Sequence, residues 1–251
     1  MAGMRGGISV PFAMLLIFLL AALFVFIIIK TFRSNYYAYN LLKLDPLEEK
    51  SLRNNEAGIR TAEIWMIGDS RIARWDKNLM NDKSEIVNLG IEGQTSLQVY
   101  YRLKNYLVSD TPSILVLQGG INDLKVIGLD KDLKAEVENN LRLNIEAICQ
   151  LCIDREIKVI LMSIIPVGSI EPARRLVWNR DVNDALDSVN EAFKLMIDNK
   201  HIFYLDTNEL LSDNRKKVRP ELQFDFLHIN ERGYEILSAA LNEQIKTISN
   251  N

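Results

Sequence analysis

From Thr61 onward the chain alternates short apolar runs with longer segments of helical spacing, and this alternation limits the fold more than any other feature. The runs are Glu63–Ile67, Glu85–Leu89, Ser113–Gln118 (SILVLQ), Ile157–Ile165 (IKVILMSII) and His201–Leu205 (HIFYL). They end at Gly68, Gly90, Gly119-Gly120, Pro166 and Asp206. Ser96–Val108, Lys131–Asp154, Asp181–Asn199 and Glu231–Thr247 carry apolar residues at helical period. Short strands separated by helices pair in parallel, with the helices covering both faces of the sheet. In such sheets chemistry collects at the carboxyl ends of the strands. The residues just after each run are therefore the ones to read for function.

Ahead of this pattern lies a different kind of segment. Residues 10–29 read VPFAMLLIFLLAALFVFIII, twenty residues without a polar side chain. At about 1.5 Å per residue a helix of this length spans about 30 Å, the thickness of a bilayer's hydrocarbon. A cleaved signal peptide has a shorter apolar core and a small-residue cleavage site. Here Lys30-Thr31-Phe32-Arg33 follows, so an uncleaved signal anchor is expected. Arg5 on one side and Lys30 and Arg33 on the other nearly balance the positive-inside count. Phe32, Tyr36, Tyr37 and Tyr39 fall where an interfacial aromatic belt would sit.

The expected organisation is a short flank over 1–9, a transmembrane anchor over 10–29, a juxtamembrane linker over 30–61 and a globular domain over 62–251. The whole chain carries 30 basic and 33 acidic residues, and residues 1–40 hold three of the basic ones and no acidic one. The domain is thus acidic, which argues against nucleic acid as a partner. The two cysteines, Cys149 and Cys152, fall inside an amphipathic helical segment rather than at its start, and read as packing thiols. No ligand cluster suggests a metal, and no cofactor is implied.

Four strand ends carry chemistry-bearing residues. Gly68-Asp69-Ser70 places a serine on a tight turn; an ordinary Asp/Ser helix cap is the plain alternative. Asn88-Leu89-Gly90-Ile91-Glu92-Gly93-Gln94-Thr95 allows close backbone approach to a ligand, or is a simple turn. Gly119-Gly120-Ile121-Asn122-Asp123 offers a side-chain amide to a developing oxyanion, or an Asx cap. Asp225-Phe226-Leu227-His228 can hold an imidazole by its Nδ1–H, or cap a helix. The other histidine, His201, opens a predicted strand with no acid expected nearby on its face.

Together and in this order, the four segments resemble the SGNH hydrolases, the GDSL-type esterase/lipase superfamily, over about residues 62–247. The G-D-S block is Gly68-Asp69-Ser70, the G-x-x-G-x-T block Gly90 to Thr95, the G-x-N-D block Gly120 to Asp123, and the D-x-x-H block Asp225 to His228. The resemblance implies a flavodoxin-like three-layer sandwich on a five-stranded parallel sheet, preceded by one N-terminal transmembrane helix. It implies Ser70 as nucleophile, His228 as base and Asp225 as its orienter. The Ser70 and Gly93 N–H groups and the Asn122 side chain would form an oxyanion hole. Arg71 departs from the motif's usual leucine and bears on substrate charge.

The expected activity is a membrane-anchored serine esterase acting on short-chain or O-acetyl esters, with its domain on the extracytoplasmic side. A lysophospholipase, an O-acetyltransferase and a tethered, non-hydrolytic carbohydrate-binding module are the alternatives. The substrate would be an acyl ester, such as an acetylated glycan or a lysolipid. The segment Pro166–Arg180 (PVGSIEPARRLVWNR) is long for a strand–helix connection and could lie over the site. Arg71, Arg174, Arg175 and Arg180 are candidates for an anionic substrate, and Trp178 for stacking on a sugar; a solvated basic surface with Trp178 packed inward is the plain alternative.

Overall fold

A computed structural model describes residues 10–44, 63–81 and 86–250. Its sheet has five parallel strands: β1 (Ile64–Gly68), β2 (Ile86–Gly90), β3 (Ile114–Gln118), β4 (Lys158–Met162) and β5 (Ile202–Leu205), in the order β2-β1-β3-β4-β5. That is the flavodoxin-like order, and the chain reverses direction beside β1, where β2 lies on one side and β3 on the other.

Strand alternation sorts side chains to two faces. Trp65, Ile67, Leu115, Leu117, Val159 and Leu161 face helices α3 (Ser96–Tyr106), α5 (Lys134–Ile153) and α6 (Arg180–Lys194). Ile64, Met66, Ile114, Val116, Ile160 and Met162 face the other layer, dominated by α8 (Glu231–Ser249) through Tyr234, Leu237 and Leu241. The remaining domain helices, α2 (Ser70–Ala73), α4 (Ile121–Leu124) and α7 (Thr207–Leu211), are short and begin at or just after strand ends. Cys149 and Cys152 are both free thiols buried in the α3/α5/α6 layer. Burial pushes the Cys149 thiol up to about 12 and the Cys152 thiol up as well, so neither is a thiolate nucleophile.

α6 ends at Lys194, short of the expected Asn199, and two further differences from the sequence reading stand out. The fourth run was expected to continue to Ile165, but β4 stops at Met162, opposite the end of β5 at Leu205. Beyond it the chain turns to side-chain partners: Ile164 N–H donates to Asn190 Oδ1 at 2.8 Å, and Ser163 Oγ pairs with Thr207 Oγ1 at 2.6 Å. The second difference is the N-terminal helix. α1 spans Val10–Leu42, so the expected linker is helical as far as Leu42; residues 45–61 of it lie outside the described residues.

Over residues 11–28 the side chains of α1 are almost all exposed, and the helix is long and apolar enough to cross a membrane. Past Lys30 one stripe turns against the domain. Arg33, Tyr36, Tyr37 and Asn40 recur at helical spacing and are partly or fully buried, whereas Phe32 and Tyr39 stay exposed. Arg33 Nη1 donates to Leu176 O, and the Tyr37 hydroxyl donates to Asp130 Oδ2 at 3.2 Å. The aromatic cluster is thus divided between an exposed face and a docked one.

Candidate active site

The end of β1 can be built only with glycine. A Cβ on Gly68 would lie 1.8 Å from Gln118 O of the neighbouring strand. The next residue, Asp69, caps α2 by accepting from Arg71 N–H at 2.9 Å. Ser70 is therefore the first residue of a helix that starts directly at the rim of the sheet.

The Ser70 hydroxyl lies 2.9 Å from Nε2 of His228. His228 Nδ1 lies 2.8 Å from Asp225 Oδ2, and Asp225 Oδ1 accepts from the Leu227 and His228 N–H groups at 2.8 and 2.9 Å. The carboxylate thus fixes both the imidazole and the turn that carries it. Partial burial raises the Asp225 carboxyl, but these hydrogen bonds outweigh it and hold the group below its ordinary range. Burial dominates at His228, so its pKa falls below 6.5 despite Asp225, helped by Arg74 and Arg71. A neutral imidazole is what a base facing a hydroxyl must be.

The second and third strand ends meet beside this pair. Ile91 N–H donates to Gly68 O at 3.1 Å, which ties the turn after β2 to the residue before Asp69. Gly93 in that turn has φ of +76°, a left-handed conformation open to glycine at little cost. Asn122 is buried at the start of α4. Its Nδ2 donates one hydrogen to Gln94 O at 2.8 Å, leaving the other for a ligand, while its Oδ1 accepts from Lys125 Nζ at 2.6 Å.

Two buried residues that sequence reasoning did not single out hold this corner together. Arg102 of α3 donates to Gly68 O, Leu89 O and Gln94 Oε1, so one guanidinium joins two strand ends and the turn after β2. Asp123 accepts from Ser96 N–H at 2.9 Å and Ser96 Oγ–H at 2.5 Å, locking the start of α3 to the G-x-N-D segment. Burial pushes the Asp123 carboxyl up to about 7, the Ser96 bonds offsetting only part of that cost.

The histidine not in this cluster corrects an expectation. His201 does have an acid on its face: its Nδ1 lies 3.0 Å from Asp198 Oδ2. Asp198-Asn199-Lys200-His201 is a second D-x-x-H, whose geometry copies the first. It sits before β5, at the amino end of that strand, and therefore at the opposite rim from Ser70.

The expected substrate residues divide. Trp178 is buried, edge-on to Phe226 at 5.4 Å, and donates to Asn183 Oδ1. It belongs to the core, as the plain alternative had it. Arg71 is also buried; its Nε donates to Leu227 O at 3.1 Å, bracing the His228 turn from within. Arg174, Arg175 and Arg180 are exposed, and Arg180 pairs with Asp184 at 3.5 Å. Arg174 lies over the Phe226 ring, 5.1 Å from its centroid. Among the described residues no cluster of histidine, cysteine or carboxylate side chains could hold a metal ion.

The family model of GDSL-like lipases and acylhydrolases matches residues 66–236, and the chain belongs to that family of carboxylic ester hydrolases. Solved structures share the fold. A GDSL-like lipase from Bacteroides thetaiotaomicron is similar with a TM-score of 0.61 at 20% identity, over 80% of this chain and 96% of that one. An aryl esterase from M. smegmatis gives 0.58 at 15% identity, over 74% and 98%. An acetyl xylan esterase gives 0.56 at 18% identity, over 72% and 99%. No curated protein sequence matches the chain.

Proposed function

We propose that this chain is a membrane-anchored serine esterase that cleaves short-chain or O-acetyl esters through Ser70, His228 and Asp225. The observation that carries this reading is the continuous relay from Ser70 Oγ through His228 to Asp225, with contacts of 2.9 and 2.8 Å. Ser70 Oγ attacks the ester carbonyl while His228 Nε2 takes its proton. Asp225 holds the imidazole by Nδ1 and stabilises it when charged. The new oxyanion receives N–H groups from Ser70 and Gly93 and the free hydrogen of the Asn122 amide. His228 then gives its proton to the departing alcohol, and water attacks the acyl-enzyme by the same steps in reverse.

The anchor part of the reading rests on α1. Its 33 residues make a rod of about 50 Å, well over the 30 Å or so of bilayer hydrocarbon. The surplus is the stripe from Arg33 to Asn40 that docks on the domain, with Lys43 just past the helix end. Residues 10–29 would cross the membrane, and the domain would stand on its extracytoplasmic side.

Active-site labelling tests the nucleophile directly. A fluorophosphonate should add to one serine of the full chain, and peptide mass analysis should find it on Ser70. Labelling elsewhere, or none while the protein is folded, contradicts the reading.

A further inference from the structure

Resting on the esterase reading above, we propose that the natural ester carries a negative charge, a carboxylate or phosphate near the scissile bond, held by Lys43, Lys125 and Arg174. Each of these cations is fastened to a different one of the motif segments around Ser70. Lys43 Nζ donates to Gly93 O at 3.0 Å, and Thr95 Oγ1 donates back to Lys43 O at 3.0 Å. Lys125 Nζ donates to Asn122 Oδ1 at 2.6 Å. Arg174 lies on Phe226, between Asp225 and His228 in the chain.

These contacts hold the three charges against the motif segments without neutralising them. None of the three forms an ion pair with a carboxylate among the described residues. Their acceptors are a backbone carbonyl and a side-chain amide, and Arg174 rests on a ring. The charges are also crowded. Burial holds the Lys125 amine down to about 8, and Lys43, Arg71 and Arg174 all lie near enough to oppose its protonation. Asp69, buried next to Ser70, offsets part of this from beneath. Arg174 also reaches the field of Tyr36 on α1, so the cations span from the docked helix to the His228 turn.

Like charges brought together around a reacting bond cost stability unless an anion of the ligand joins them. The arrangement has a second consequence for the reaction. A cation on Asn122 Oδ1 polarises the amide whose N–H would face the oxyanion. The positive field therefore favours both an anionic substrate and the negative charge that develops during attack. All three cations lie outside the motif blocks: Lys43 after the docked helix, Lys125 two residues past Asp123, and Arg174 in the long loop after β4.

The test compares isosteric acetyl esters on the full chain in detergent micelles: 4-acetoxybenzoate against the neutral 4-acetoxybenzamide. We expect kcat/KM to favour the anion by about tenfold or more at low salt, with the preference shrinking as salt rises. Lys43→Gln and Arg174→Gln should each reduce the ratio, and Arg174→Lys should keep most of it. Lysophosphatidylglycerol against the neutral monoacylglycerol repeats the comparison with the charge on a lipid headgroup. Preference in the aromatic pair alone points to a soluble anion, and in the lipid pair alone to a membrane lipid; either supports the site. Equal kcat/KM within both pairs overturns it while leaving the esterase reading intact. If neither pair is hydrolysed, the esterase reading fails, and calorimetry on Ser70→Ala still decides the anion site. Tighter binding of 4-acetoxybenzoate than of 4-acetoxybenzamide supports it; equal binding overturns it.

Discussion

Ser70 and His228 stand 158 residues apart in the chain, yet Ser70 Oγ and His228 Nε2 are 2.9 Å apart. The parallel sheet accounts for the meeting. Ser70 follows β1 directly, His228 lies on the turn that leads into α8, and α8 packs beneath β1 through Tyr234, whose hydroxyl donates to Arg71 O at 2.9 Å. Any change that shifts α8 against β1 should therefore separate Ser70 Oγ from His228 Nε2 before it unfolds the domain.

The two D-x-x-H segments give a controlled comparison. His228→Gln should abolish turnover of a short-chain p-nitrophenyl ester, whereas His201→Gln should leave kcat within about twofold and lower Tm slightly. The rate should rise with pH as His228 loses its proton. Because burial depresses that pKa, the midpoint should fall below 6.5, the ordinary histidine value. A midpoint above 7, or the reverse ranking of the two histidines, contradicts the assignment.

If the Asn122 amide is the proposed oxyanion donor, it should act on the transition state alone. Asn122→Ala should lower kcat by about 10²–10³-fold with little change in KM, as loss of one such donor does elsewhere. Asn122→Asp should be at least as damaging, since it turns the donor into an acceptor. A rise in KM with kcat preserved would make Asn122 a ground-state binding residue.

Asp123 gives a pH dependence of stability whose sign can be worked out. Its carboxyl is raised to about 7 in the folded chain and sits near 3.9 when unfolded. The stability this group contributes is complete below about pH 4 and is lost as pH rises to about 7. Relative to wild type, Asp123→Asn should therefore gain Tm between pH 5 and pH 8. The swing should be several degrees, equivalent to about 3 kcal/mol. A constant Tm difference across that range would mean the carboxyl is ionised throughout.

The anchor can be checked by fractionation. The protein should stay with membranes through high-salt and carbonate washes, with residues 10–29 still attached. A mature chain beginning near residues 30–40 would contradict the anchor, and would also cut into the α1 stripe at Arg33, Tyr36 and Tyr37.

Much of this was legible in the sequence because it is local. Apolar runs that stop at Gly68, Gly90 and Gly119 marked three strand ends to within a residue, and the site segments follow them directly. Spacing left Asp225 and His228 open to either a pairing or a helix cap, and the resemblance of the ordered segments chose the pairing. Asp198 stands at the same three-residue spacing before His201, but Asn199 and Lys200 beside that histidine gave no sign of an acid on its face. Arg102, Asp123 and Lys43 were illegible for a different reason. Their partners are Gly68, Ser96 and Gly93, and Lys43 stands fifty residues before Gly93, so only the closed fold reveals what each one holds. The extension of α1 to Leu42 was hidden because its docked face is polar and aromatic, a stripe that reads as linker until the surface it meets is known.

The most direct test of the account is the turnover of a short-chain p-nitrophenyl ester by full-length wild type and Ser70→Ala, with folding matched by Tm. The Ser70–His228–Asp225 relay predicts a loss of kcat of about 10³-fold or more in the variant, with Tm nearly unchanged. Activity within tenfold of wild type would remove Ser70 from the chemistry and contradict the proposed mechanism.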